Sequence, residues 1–125
     1  MKFVSVVAVL ALIEYMIISL QTGRARQTYG VKAPATTGDP TFERYYRVQQ
    51  NTVEQLVIFL PALFLFALYV SPGFAGLLGV IFIVGRGLYA RGYVADAEKR
   101  GTGFIVGFAA NSILVLGALI GAIFA

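Results

Sequence analysis

The sequence predicts an all-α integral membrane protein, an antiparallel four-helix transmembrane bundle in one domain spanning residues 1–125, on three observations. First, the chain of 125 residues is 58% hydrophobic and only 13% charged, with a mean hydropathy of +0.80. A soluble domain of this size would aggregate through so much apolar surface. Second, four apolar segments are each close to the ~20 residues that cross a bilayer: from about Phe3 to Leu20, Val53 to Val70, Phe74 to about Arg91, and Phe104 to Phe124. Third, the positive charge gathers in two of the connecting regions and their flanks.

Each element has its own signals. The first span follows a single charge, Lys2, and no small-x-small cleavage site follows Leu20, so it reads as an uncleaved span. A Thr/Gly/Pro/Ala-rich loop is expected from about Gln21 to Asp39. Asp39-Pro40 is an N-cap followed by proline at the first helical position, so the second helix should start near Pro40. From Pro40 to Val70 it would be ~46 Å long against ~30 Å of hydrocarbon. About three turns, with Glu43, Arg44 and Arg47, should project beyond the apolar layer, and Pro61 should kink the span. Ser71-Pro72-Gly73 forms the turn into span three. There Arg86, Tyr89, Tyr93, Asp96 and Arg100 fall within ~80° on a continuing helix. Gly103 with Gly107, and Gly117 with Gly121, mark span four as a close-packing helix, and Gly73, Gly76 and Gly79 suggest the same for the start of span three.

Arg24, Arg26 and Lys32 after span one, and Arg91, Lys99 and Arg100 after span three, place those loops in the cytoplasm and both termini outside. The expected location is a bacterial inner membrane or its equivalent. The net charge of +4, confined to these loops, does not indicate a nucleic-acid partner. With no Cys and no His, thiol nucleophiles, imidazole catalysis and the usual zinc or haem sites are excluded, and no metal is expected.

Arg47, Asn51 and Glu54 share an arc of about 60° on the second helix, at the edge of its apolar run. Charge there is costly and usually functional. Counted from the turn at residues 71–73, Glu54 and Tyr89 both lie ~24 Å up, with Asn51 and Tyr93 just above them. Two polar stripes therefore meet at one depth. One explanation is that the arginines snorkel, the tyrosines form an interfacial belt and Glu54 pairs with Arg86. The other is a pocket for an anionic, zwitterionic ligand: arginines on carboxylates, Glu54 on an ammonium, Asn51 on amides. Such a ligand would have to bring the reactive atom.

Phe42-Glu43-Arg44-x-Tyr46-Arg47-x-Gln49-x-Asn51-x-x-Glu54 resembles the second-helix signature of the MAPEG family, membrane-associated proteins in eicosanoid and glutathione metabolism. The Thr36-Thr37-Gly38 lead-in and Arg86-x-x-Tyr89-x-x-Gly92-Tyr93 followed by Arg100 are similar to the same family at matching spacing, and the likeness covers essentially the whole chain. The resemblance implies a homotrimer that binds glutathione between subunits and acts on a lipophilic small molecule or lipid within membrane lipids. By position it implies Arg47, Asn51, Glu54, Tyr89 and Tyr93 as glutathione-binding residues. Arg26 and Gln49 would reach in from the adjacent subunit, and Arg100 would stabilise the thiolate.

Two positions depart from the cysteinyl-leukotriene synthase branch: it has Tyr where Gln55 stands, so one cofactor contact is altered, and a second arginine near the active site where Gln27 stands. The expectation is therefore a general glutathione transferase or peroxidase, with Gly101-Thr102-Gly103 leaving Arg100 mobile. A non-catalytic lipid-binding scaffold of the same family is a second reading. A third takes Glu14, in mid span one, as the proton or cation site of a small multidrug transporter. Otherwise Glu14 would be hydrogen-bonded to Asn111 or paired with Arg86.

Overall fold

A computed structural model describes residues 1–125. Four helices make up the protein: α1 (Lys2–Thr28), α2 (Pro40–Tyr69), α3 (Pro72–Ala95) and α4 (Gly101–Ile123), with a short 3-10 turn at Ala97–Arg100 before α4. All four are long and apolar enough to cross a membrane, and the chain is an integral, multi-pass membrane protein.

The start of α2 follows the sequence signals closely. Asp39 Oδ1 accepts hydrogen bonds from the amides of Thr41 and Phe42, both at 2.9 Å, with Pro40 opening the helix. Glu43 reaches back to accept from the Gly38 amide at 3.2 Å. Two donors of the first turn and one of the lead-in are thus satisfied, and two carboxylates sit at the positive end of the helix dipole. The helix runs unbroken through Pro61.

Two boundaries differ from the sequence reading. The loop after α1 is shorter than residues 21–39, because the helix continues to Thr28. It stops where Gly30 takes φ +70° and the Val31 amide donates back to the Arg26 carbonyl at 3.0 Å, a glycine-dependent helix stop. Val31 is thereby buried with Ala25 and Phe42. At the far end, α3 does not continue through Arg100. It ends at Ala95, and Asp96 turns extended (φ −162°) to cap the 3-10 turn by accepting from the Glu98 amide.

Contacts between helix ends establish the topology. Phe3, at the start of α1, lies against Gly76, at the start of α3. Thr22, late in α1, donates to the Tyr45 carbonyl, early in α2. The last turn of α4 meets Val70 and Tyr69 at Gly121. So α1 and α3 run one way and α2 and α4 the other. Helices α2 and α3 contact all the others, whereas α1 and α4 stand on opposite sides.

The core joins Val4, Val7 and Ala11 of α1 to Phe59, Leu63 and Phe66 of α2, Phe82 of α3 and Leu114 of α4. Phe59 and Phe82 stack with ring centroids 4.0 Å apart. Lipid tails are as apolar as these side chains, so close packing rather than transfer from water holds the helices together. A Cβ on Gly117 or Gly121 would meet Phe66 or Val70 within 2.8 Å, so α4 sits directly on α2. Gly76 and Gly79 accept Phe3 and Val7 in the same way, but Gly73 has only Ser71 nearby and does not belong to this packing.

Candidate functional site

A cleft of about 280 Å³ opens at the basic end of the bundle, lined by Arg47, Gln50, Asn51, Glu54, Tyr89, Tyr93 and Arg100. Six of the eight residues singled out from the sequence meet here. One wall is α2, whose continuous backbone sets Arg47, Asn51 and Glu54 on one face. The last turns of α3 supply Tyr89 and Tyr93, whose rings tilt against each other at 5.5 Å. Gln50 lines the cleft as well. It stands three residues after Arg47 and four before Glu54, spacing that marks it as a neighbour on the same face.

Arg100 reaches the cleft although no continuing helix carries it. The turn at Ala97–Arg100 folds back until the Lys99 carbonyl oxygen is 2.5 Å from where a Cβ on Gly92 would lie, and α4 begins so close to α3 that a Cβ on Gly103 would meet the Tyr89 amide at 2.1 Å. These two close approaches set Arg100 beside Tyr93, with its guanidinium 5.8 Å from the ring centroid. Its Nη1 donates to the Ala97 carbonyl. Gly101 is helical (φ −61°, ψ −48°), so α4 begins directly after Arg100 and takes Gly101-Thr102-Gly103 into its first turn.

The α2 wall is tied to α3 from below and above. Below the cleft, Arg86 is almost fully buried (1% exposed), donates to Thr52 Oγ1 at 2.8 Å and lies 4.2 Å from the Tyr89 ring centroid. Above it, Arg44 Nε donates to the Val94 carbonyl at 3.0 Å. The pairing of Glu54 with Arg86 does not form: Arg86 donates to Thr52 and lies against the Tyr89 ring, its Nε remains buried without a partner, and Glu54 faces the cleft, exposed.

Glu14 makes no hydrogen bond to either expected partner, but it lies near enough to Arg86 for the two charges to act on each other. Asn111 is on α4, across the bundle from α1, and uses its amide on Gln55. Glu14 is half-buried instead, with one carboxylate oxygen 3.4 Å from the Cβ position of Gly87.

Two predicted residues lie apart. Arg26 donates to the carbonyls of Val31 (3.4 Å) and Ala35 (2.7 Å) and covers the Phe42 ring at 4.8 Å, holding the loop after α1 in place. It lines a shallow depression with Gln27, Gly30, Val31 and Lys32, away from the cleft. Gln49 is half-buried on another face of α2.

Between α2 and α4 runs an apolar groove in two sections. The first, about 470 Å³, includes Gln55, Ile58, Phe108, Asn111, Ser112 and Val115. The second, about 460 Å³, includes Ile58 and Val115 again and continues past Leu65 to Tyr69 and Ala122. From Gln55 to Tyr69 it is ~21 Å long.

The cleft can do specific chemistry. Two guanidinium groups and one carboxylate suit a ligand with both carboxylates and a cation. Asn51 Oδ1 is buried in its wall without a hydrogen-bond partner, and a buried acceptor left unpaired costs stability unless a ligand supplies the donor. No group of His, Cys, Asp and Glu side chains could hold a metal ion.

The MAPEG family model matches residues 4–120. An uncharacterized protein of Synechocystis is 50% identical over 93% of this chain and 85% of its own length. Human microsomal glutathione S-transferase 2 is 43% identical over 90% of this chain and 78% of its own. Leukotriene C4 synthase of Cavia porcellus is 42% identical over 66% of this chain and 55% of its own. With the match running through all four helices and every wall of the cleft, the chain belongs to the MAPEG family.

Proposed function

We propose that this chain is a membrane-bound, glutathione-dependent transferase or peroxidase acting on lipophilic electrophiles or lipid hydroperoxides. The observation that carries this reading is the makeup of the cleft: Arg47, Arg100 and Glu54 stand around the unpartnered Asn51 Oδ1. Glutathione presents carboxylates, an ammonium group, peptide amides and a thiol, and each has a matching side chain here.

Glutathione supplies the sulfur nucleophile that a chain without Cys lacks. Arg47 holds a carboxylate through paired N–H donors, and Glu54 holds the ammonium group. Asn51 Oδ1 accepts from a peptide N–H, and the hydroxyls of Tyr89 and Tyr93 complete the donor set. Arg100 keeps further N–H donors after bonding Ala97, because a guanidinium carries five. Its charge lowers the pKa of a nearby thiol from the usual ~8.5 and raises the thiolate fraction at neutral pH. The groove between α2 and α4 receives the tail of the lipophilic substrate, which reaches the cleft from within the bilayer.

The remaining elements of the proposal extend beyond one chain. A cleft of about 280 Å³ falls just short of the ~300 Å³ at which ligand pockets begin. Arg26 and Gln49, which lie outside it, complete the cleft of a neighbouring subunit in a homotrimer. The basic end faces the cytoplasm, where glutathione is available. Arg100 beside a full set of binding groups favours catalysis over a scaffold.

The test is glutathione turnover by the purified, detergent-solubilised protein with chlorodinitrobenzene and with cumene hydroperoxide. Wild type should exceed the uncatalysed rate, and Arg100→Ala should lower kcat by ~10²–10³-fold, as removal of a transition-state donor does. Equal, background-level rates for both proteins would show the enzymatic reading to be wrong.

A further inference from the structure

Gln55 occupies the junction of the two cavities. It follows Glu54 and lies one helical turn from Asn51, both of which line the cleft, yet its own side chain lines the groove. Its orientation is determined by Asn111. Asn111 Nδ2 is 3.3 Å from the Gln55 main-chain carbonyl and 3.2 Å from Gln55 Oε1. A carbonyl accepts only from a donor, so the nitrogen of Asn111 is the atom that faces Gln55. The Gln55 end meeting that nitrogen must then be its oxygen, and Nε2 is turned the other way. Gln55 Nε2 donates to no atom of the protein and is not among the buried unpaired atoms, so it is accessible.

A free amide donor at the head of a hydrocarbon groove calls for an acceptor. Unpaired N–H groups in apolar surroundings cost several kcal/mol. Besides Asn111 and Ser112, the neighbouring groove walls offer only carbon: Ile58, Phe108, Val115 and Leu116. The groove runs on from this amide for ~21 Å, the shape of a long alkyl chain with its polar head at Gln55. Because Gln55 adjoins the cleft residues Asn51 and Glu54, that head sits at the edge of the cleft.

We propose that Gln55 Nε2 donates a hydrogen bond to the oxygen of the lipophilic substrate, with Asn111 as its positioning residue, so that the protein selects long-chain electrophiles carrying an acceptor oxygen conjugated to the reacting carbon. The inference rests on the transferase reading above. Long-chain unsaturated aldehydes fit the chemistry. Conjugate addition forms one C–S bond at the β-carbon and moves the alkene electron pair toward the carbonyl oxygen. Gln55 stabilises the resulting enolate oxygen, and a proton from water ends on the α-carbon. The thiol proton leaves to water, so no oxidant or reductant is consumed.

The test compares kcat/KM for trans-dodecenal with kcat/KM for para-hexylbenzyl chloride, which has a similar reach but no acceptor oxygen. Their ratio within one preparation cancels differences in the active fraction. Gln55→Leu should lower the ratio by roughly a hundredfold, and Asn111→Leu by roughly tenfold, since a swinging amide loses its alignment. An unchanged ratio, or an equal loss on both substrates with a raised KM for glutathione, would overturn the proposal and make Gln55 a cofactor contact.

A second measurement needs no turnover. The carbonyl stretch of bound dodecan-2-one should move to lower frequency in wild type and lose that shift in Gln55→Leu. No shift in wild type overturns the Gln55 assignment, and a shift retained in the variant assigns the donor elsewhere. A protein that shows the shift but turns over no glutathione would instead sink the transferase reading and leave Gln55 as a ligand-binding group.

Discussion

The two walls of the cleft are built by different means. The α2 wall is one uninterrupted helix from Pro40 to Tyr69, so the relation among Arg47, Asn51 and Glu54 follows from helical spacing alone. The facing wall is assembled from the end of α3, a 3-10 turn and the start of α4. Arg100 takes its place there only because Gly92 and Gly103 permit backbones to touch. A wall made by periodicity tolerates change at its surface. A wall made by close approach depends on residues, Gly92 and Gly103, that do not line the cleft.

Variants can break or sharpen that contrast. The largest expected effect belongs to Arg100→Ala, about 2.7–4 kcal/mol in the barrier to turnover, whereas Glu54→Gln on the opposite wall should mainly raise the KM for glutathione, by roughly tenfold, through a lost charged hydrogen bond. Steady-state kinetics with glutathione varied separates the two. Next comes Gly103→Ala. Its Cβ would fall 2.1 Å from the Tyr89 amide, and a helix backbone cannot swing aside as a side chain can. Overpacking should cost about 1–3 kcal/mol, read as a lower midpoint of thermal unfolding in detergent, with activity lost through displacement of Arg100. If Gly103→Ala melts like wild type, close approach does not build this wall.

A similar loss of stability, without displacement of Arg100, is expected below the cleft. Thr52→Val removes the acceptor of the buried Arg86 and leaves a guanidinium donor unpaired, at a cost of about 1–3 kcal/mol. The same melting experiment checks it, and Thr52→Ser should restore most of the loss. The smallest is Gly101→Ala. Nothing lies within 4 Å of its Cβ position and its backbone is already helical. The substitution should stabilise by about 0.5–1 kcal/mol with kcat unchanged, where a wall that needed a mobile Arg100 would lose turnover.

Much of the fold was legible because its signals are local. Composition and four apolar runs require spanning helices, and the Asp39-Pro40 start of α2 rests on side-chain chemistry within four residues. The depth of Glu54 and Tyr89 followed from counting residues upward from the same turn, and the cleft lining contains both. The end of α3 was misread because the polar arc continues through Asp96 and Arg100 as if on one helix. Helical spacing cannot reveal that Asp96 caps a new turn instead. The hydrogen-bond partner of Arg86 was not legible for a related reason: Glu54 and Glu14 were both candidate counter-charges by depth, but a hydroxyl at Thr52 was the group in reach.

By itself, the sequence determined that this chain is an integral membrane protein with four segments apolar and long enough to cross, that α2 projects a polar stripe, and that any thiol chemistry must come from outside, since no Cys is present. Those conclusions depend on residue type and on the 1.5 Å rise of a helix, which the rest of the chain does not alter. Only the tertiary structure decided where Arg100 stands, what Arg86 holds, and which way the Gln55 amide turns. Each of these depends on a contact between residues far apart in the chain, such as Tyr89 with Gly103 or Gln55 with Asn111. Such contacts are selected by packing and by satisfying buried polar atoms, and neither has a period that can be read along the chain.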